Sequence, residues 1–152
     1  MFMAIFITRE SKRFVDISLS FEPNPISGDI TLLNNERAIN NSLKNLIMFA
    51  ASEVPFRADI GSGVGDYLFD IMDTGLQSLM AQEIKRVIEY SEPRVELVDP
   101  IYSENIVVQS KYSESITVED KPEQNAYMVT IIYKIVGYEQ VLTYNQLLEP
   151  TR

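Results

Sequence analysis

The spacing of apolar positions changes along the chain, and each spacing names an element. Val15, Ile17, Leu19 and Phe21 alternate with Asp16, Ser18, Ser20 and Glu22, the period of two that marks a half-buried strand. Pro23-Asn24-Pro25-Ile26-Ser27-Gly28-Asp29 then turns the chain, since Pro presets φ and Gly accepts a positive φ. Ile30 and Leu32 return as a short second strand. Asn34 or Asn35 is placed to cap a helix, with Glu36 in its first turn where negative charge suits the helix dipole. Ala38, Ile39, Leu43, Leu46, Ile47 and Ala50 form one buried stripe on that helix, opposite Asn40, Asn41 and Lys44. Pro55 ends it, by Val54 at the latest.

A glycine-rich loop, Asp59 to Asp66, leads to Tyr67, Leu68, Phe69 and Ile71, expected as a short helical turn plugging apolar side chains into the core. Thr74 with Gln77 reads as a capping box. Leu76, Leu79, Met80, Ile84, Val87 and Ile88 then carry a second long helix to about Tyr90, and Glu92-Pro93-Arg94 stops it. Strands are expected over Val95–Tyr102 and Ile106–Ser110, with a weak one at Ile116–Val118 inside a polar, acidic stretch from Ser110 to Asn125. Tyr127, Val129, Ile131, Tyr133 and Ile135 alternate through a long strand, apolar on both faces, that Gly137 breaks. Val141 to Tyr144 pairs back on it. Hairpin, two helices, then strands reads as the α+β class: two long helices packed on a small antiparallel sheet, with an N-terminal hairpin and extended C-terminal strands. One domain is expected, with residues 1–14 an extension, 15–94 the hairpin and helices, and 95–152 mainly strands.

Composition narrows the chemistry. With 22 acidic against 13 basic residues the formal net charge is -9, so phosphate backbones and anionic membranes are repelled, and no nucleic-acid or membrane partner is expected. The chain contains no Cys and no His, which removes thiolate metal sites and the commonest general base and zinc ligand. Met1 to Ile7 is apolar but lacks a basic region before it, is a poor signal peptide, and is too short to span a bilayer. Synthesis in a cytoplasm as a soluble protein is the expectation.

Individual motifs are weak in isolation. Gly61-Ser62-Gly63-Val64-Gly65 looks like a phosphate cradle, but it ends in Asp66 where a Gly-Lys-Ser/Thr ending is needed, so it reads as a tight, flexible connection. Glu53, Asp59, Asp66 and Glu92 could be nominated as a hydrolase pair, yet no spacing singles two of them out. Asp66, Asp70 and Asp73 lack a calcium-loop pattern; no metal and no cofactor is expected. Pro93 forces Glu92 out of the helix, so Glu92 and Arg94 project to one side of an extended bend. That pair is either a helix stop with a surface ion pair worth about 0–1 kcal/mol or a docking point where Arg94 offers its fork to a partner. In the second case Arg94→Ala leaves the isolated chain folded and abolishes docking.

Together these residues resemble the small baseplate wedge, or sheath-initiator, family of contractile phage tails, similar proteins of which occur in type VI secretion baseplates. Phe21, Asn24-Pro25 and Ser27-Gly28-Asp29-Ile30 are similar to its N-terminal signature; Ala38-Ile39, Ser42 and Asn45-Leu46 to its first helix; Pro55-Phe56 and Ile60-Gly61 to its Pro-Phe…Phe-Gly stretch, with Ile60 in place of an aromatic; Leu68-Phe69 to its Leu-Phe pair; and Tyr90 with Glu92-Pro93-Arg94 to its Glu-Pro-Arg signature. The terminal strand and Arg152 also fit. The resemblance implies a virion protein of the tail baseplate, present in several copies around a ring, with no catalytic residue. It implies docking on wedge proteins through Glu92, Pro93 and Arg94. It also implies seeding of the tail sheath protein by strand addition at Tyr127, Val129, Ile131, Tyr133, Ile135, Val141 and Tyr144. Relatives have also been labelled lysozyme-like, which makes a tail-associated peptidoglycan hydrolase working on carboxylates the competing expectation.

Overall fold

The structure, a computed structural model, describes residues 13–18, 20–70, 74–98 and 114–150. Its elements are β1 (Val15–Ile17), β2 (Leu32–Asn34), α1 (Glu36–Met48), α2 (Val64–Tyr67), α3 (Thr74–Ser91), β3 (Val95–Leu97), β4 (Ile116–Lys121), β5 (Ala126–Ile135) and β6 (Val141–Leu148). The α+β expectation holds: α1 and α3 pack on one face of an antiparallel sheet. Leu19, Ile71, Asp73, the side chain of Thr74, the strand expected over Ile106–Ser110, Val95–Tyr102 beyond Val98, and Arg152 lie outside the described residues.

β1 and β2 pair antiparallel, Val15 opposite Asn34 and Ile17 opposite Leu32. The alternation is real but faces the other way from a half-buried strand's usual sense. Val15, Ile17, Ile30 and Leu32 are exposed, while Asp16 is turned inward and accepts from the Asn41 side chain on α1. Asn35 sits at the N-cap of α1 without capping it. Its Oδ1 instead accepts the Phe14 N–H at 3.1 Å, and its own N–H donates to the Phe14 carbonyl at 2.8 Å. The capping side chain is thus used to tie the incoming chain to the helix.

α1 buries Ala38, Ile39, Leu43, Leu46 and Ile47, but it stops at Met48, well before Pro55. Ala50 is consequently exposed and off the stripe. The early end has a long-range cause. Ser62 lies alongside the helix terminus, its Oγ donating to the Ile47 carbonyl at 2.7 Å and its N–H to the Phe49 carbonyl at 2.8 Å, which satisfies acceptors a longer helix would have used. The glycine-rich stretch is therefore packed rather than a flexible connection. Val64 is buried, Tyr67 and Leu68 pack against the core, but Phe69 is exposed. On α3 the stripe runs through Met80, Ile84, Val87 and Ile88 with Leu76 at its margin; Leu79, one step around the helix, is exposed. Gln77 reaches across to Asp120 on β4, donating at 3.1 Å.

β5 is the central strand. β6 lies along one side of it, Tyr127 opposite Leu148 through Lys134 opposite Val141 without a break in register. The other side is filled by two strands end to end: β4 pairs residues 126–131 of β5 and β3 pairs 133–135. They meet at Ile132, whose N–H donates to Ser115 and whose carbonyl accepts from Val98. The weak strand foreseen at Ile116–Val118 is thus six residues long, because β5 supplies its hydrogen bonds. Tyr127, Val129, Ile131, Tyr133 and Ile135 face the helices and are buried, and Ala126, Thr130 and Ile132 are buried as well, which explains why β5 is apolar on both faces.

Candidate functional site

Pro93 ends α3, and the chain folds back at once. The Val95 N–H donates to the Glu92 carbonyl, and the Val136 N–H donates to the Arg94 carbonyl at 2.9 Å, so the corner is stitched to the end of β5. Within it Arg94 grips Glu92 through two hydrogen bonds, Nε to Oε1 and Nη2 to Oε2, each 2.5 Å. The Ser42 hydroxyl on α1 donates to the same carboxylate. The Arg94 guanidinium stands 5.7 Å from the centre of the Phe14 ring, a cation–π distance. Glu92 is only 3% exposed and the Arg94 side chain 31%.

That geometry corrects the sequence reading of the corner. The two charges do lie on one side of the bend, but Arg94's fork is filled by Glu92 rather than offered outward. The Glu92 carboxylate is turned inward onto Arg94 and Ser42, whereas Pro93 is exposed and Arg94 partly so. Burial is the largest single influence on Glu92 and pushes its pKa up. The Arg94 and Ser42 hydrogen bonds and the guanidinium charge together outweigh it, and the carboxyl ends below its ordinary value. The hydrogen bond to Glu92 raises Arg94 further above its ordinary value.

Beside the corner lies a cleft of about 400 Å³, lined by the polar Arg94, Asp16 and Ser42 and by the apolar Leu46, Phe49 and Ile60 among others. Ser42, Asp16 and Phe14 were not foreseen as parts of this site. They converge only because α1 and β1 pack against the end of α3, and no spacing in the chain signals it.

The remaining candidates fall into two groups. Tyr127, Val129, Ile131, Tyr133 and Ile135 are interior to the sheet, with both edges of β5 already paired, so their backbone has nothing to offer another chain. An incoming strand would therefore have to use an edge other than those of β5. Tyr133 is held as a core residue, its hydroxyl donating to Asn40 Oδ1 at 2.6 Å, and burial raises its pKa far above the usual phenol value. Val141 and Tyr144 lie on β6, which among the described residues pairs only with β5. Its other edge has no strand partner among the described residues. The Tyr144 hydroxyl donates to Gln146 at 2.6 Å, and burial pushes its pKa up to about 12, so the strand Val-Leu-Thr-Tyr-Asn-Gln-Leu-Leu carries no charge near neutrality.

Of the carboxylates nominated for hydrolysis, Glu92, Asp59 and Glu53 are engaged in contacts within the fold. Asp59 is gripped by Arg57 at 3.0 Å, and that hydrogen bond holds its pKa below the ordinary value; Glu53 accepts the Ala50 N–H at 2.8 Å. A glycosidase acid needs a raised pKa, and Glu92 and Asp59 are moved in the opposite direction. Among the described residues no group of acidic side chains could hold a metal ion, and no helix is long and apolar enough to cross a membrane.

Two helices laid on one face of an antiparallel sheet, with an ion-paired corner and an uncharged edge strand that pairs only with β5 among the described residues, make this an α+β protein. The sequence pattern described as baseplate wedge protein gp25 matches residues 34–138. The chain belongs to the baseplate wedge protein gp25 family, and its role is a structural one in the baseplate of a contractile tail. No curated protein matches it in sequence. In fold it is similar to a candidate tail lysozyme from Geobacter sulfurreducens, at 24% identity and a TM-score of 0.54, over 75% of this chain and 91% of that one. It is also similar to a chain of the six-fold symmetrised baseplate of the anti-feeding prophage, at 16% identity and a TM-score of 0.56, over 92% and 88% of the two chains.

Proposed function

We propose that this chain is a non-catalytic assembly protein of the virion baseplate, present in several copies around a ring. It docks on wedge proteins at the Pro93–Arg94 corner and its cleft, with Glu92 holding Arg94 in place. It recruits the first tail sheath subunits by strand addition along β6.

One observation carries the second step. An open sheet edge is a template for any extended chain, and proteins ordinarily blunt it with charges, proline or bulges. β6 is eight residues long, paired in unbroken register, and contains neither a charge nor a proline. The opposite side of the sheet is treated differently: β4 carries Glu119, Asp120 and Lys121, and β3 is only three residues long with Glu96 at its middle. The unguarded edge is thus the one that an incoming strand would use.

Adjacent residues of an antiparallel strand send their N–H groups to opposite sides. Of Asn145→Pro and Gln146→Pro, one therefore removes a bond to β5 and the other only an outward donor. The variant that keeps the wild-type circular dichroism and thermal midpoint is the informative one. In baseplates reconstituted with sheath protein it should fail to gain a sheath, by electron microscopy. Normal sheaths on that folded variant would refute strand addition. Purified protein should release nothing from peptidoglycan; solubilisation that Glu92→Gln abolishes would favour the hydrolase instead.

A further inference from the structure

We infer that Phe56 is a preorganised anchor for a wedge protein, the apolar counterpart of the polar corner. The inference rests on the docking reading above and names the residue and the chemistry of the contact.

Two tight turns follow α1. The Glu53 N–H donates to the Ala50 carbonyl and the Arg57 N–H to the Val54 carbonyl. The third residue of each turn has a positive φ, 68° at Ser52 and 66° at Phe56. Positive φ at that position defines a type II turn, whose normal occupant there is Gly or Asn. Pro55 stiffens the second turn by presetting its own φ. An L-residue with a bulky side chain is strained in this conformation.

Among the described residues nothing compensates for that strain, because Phe56 is fully exposed. The strained, proline-stiffened corner costs stability, and a ring left in water recovers none of it by burial. Such combinations gather at binding sites. The surroundings say which site. Val54 and Ile60, on either side of Phe56 in the loop, both line the cleft beside Arg94. The loop is closed at its base by Ser62 on Phe49 and Ile47 and braced by Arg57 on Asp59. The side chain is therefore presented from a fixed frame, beside the cleft. Its occupant is a wedge protein offering an aliphatic or aromatic pocket for one ring, adjoining a polar group for the outer part of Arg94. Aromatic anchors of this kind dominate interface energies while the contacts around them exclude water.

Phe56→Asn tests this, since Asn accepts a positive φ and brings no ring. Purified alone, the variant should melt higher than wild type by about 2–4 °C, as relief of a strained residue in a chain of this size predicts. Wild type and variant would then be co-expressed with the complete set of baseplate proteins, and their ratio in purified baseplates read by mass spectrometry. The variant should be under-represented on the order of tenfold or more. Equal incorporation would overturn the anchor, as would a lowered melting point, which would make Phe56 an ordinary fold residue. Absence of wild type from the baseplates would instead sink the docking reading itself.

Discussion

A carboxylate as buried as Glu92, gripped by Arg94 and Ser42, makes its partner a stability residue before it is anything else. The sequence supports a corner at Pro93 and two charges on one side of it, because proline restricts the residue before it and extended residues two apart share a side. Whether that side meets solvent or α1 is not written in three residues. The expectation that Arg94→Ala leaves the chain intact must therefore be replaced. That substitution strands a buried charge and should cost about 3 kcal/mol at neutral pH, measured by denaturant unfolding. The deficit should shrink toward pH 4, since the unpaired Glu92 then takes up a proton. In the wild type the sign is the reverse. With its pKa lowered in the fold, Glu92 contributes stability that is complete above about pH 4.3, the ordinary Glu value, and is lost as pH falls through its folded pKa. Glu92→Gln should flatten that part of the acid limb; an unchanged limb would count against the ion pair. Replacing both residues with Met should come within about 1 kcal/mol of wild type, as apolar substitutes for buried pairs often do. Docking defects are thus cleanly read in the double variant.

Among the elements, the junction of α1 with the glycine-rich loop shows how one motif holds two different requirements. Gly61 has a φ of 118°, and a Cβ there would lie 2.5 Å from the Ala50 carbonyl oxygen; Gly65, in α2, would meet nothing within 4 Å. Gly61→Ala should cost well over about 1 kcal/mol through strain and collision, while Gly65→Ala should gain up to about 1 kcal/mol from helix propensity. Paired urea titrations separate them, and similar losses at both sites would contradict this account of the loop. The contrast was not legible in the string Gly-Ser-Gly-Val-Gly, where both glycines look alike. Nor was the end of α1, since the group that terminates it, Ser62, comes from the glycine-rich loop itself, well beyond Met48 in the chain. The stripes on α1 and α3 were legible, because 3.6-residue periodicity is a property of each helix alone, and they erred only at their edges, at Ala50 and Leu79.

For the whole molecule, the proposed assembly turns on the β6 edge, unpaired among the described residues, more than on the net charge of -9. Charge spread over the surface keeps copies apart, yet none of it lies on that strand. Thr143→Lys, at an exposed position on β6, adds the kind of guard that edges normally carry. It should leave the unfolding midpoint within about 0.5 kcal/mol of wild type and reduce sheath attachment in reconstitution; full attachment would argue against pairing along this strand. What the sequence determined alone is local: the strand and helix periods, the corner at Pro93, the turn at residues 23–29, and the exclusion of thiol and imidazole chemistry. Tertiary packing decided the rest. It turned the apolar side of the first hairpin outward, closed both edges of β5, left β6 with one edge unpaired among the described residues, and folded Arg94 onto Glu92. The physical reason is that periodicity reports which residues share a face, whereas the identity of the neighbour on that face depends on segments distant in the chain, and hydrogen-bond partners are assigned only when those segments meet.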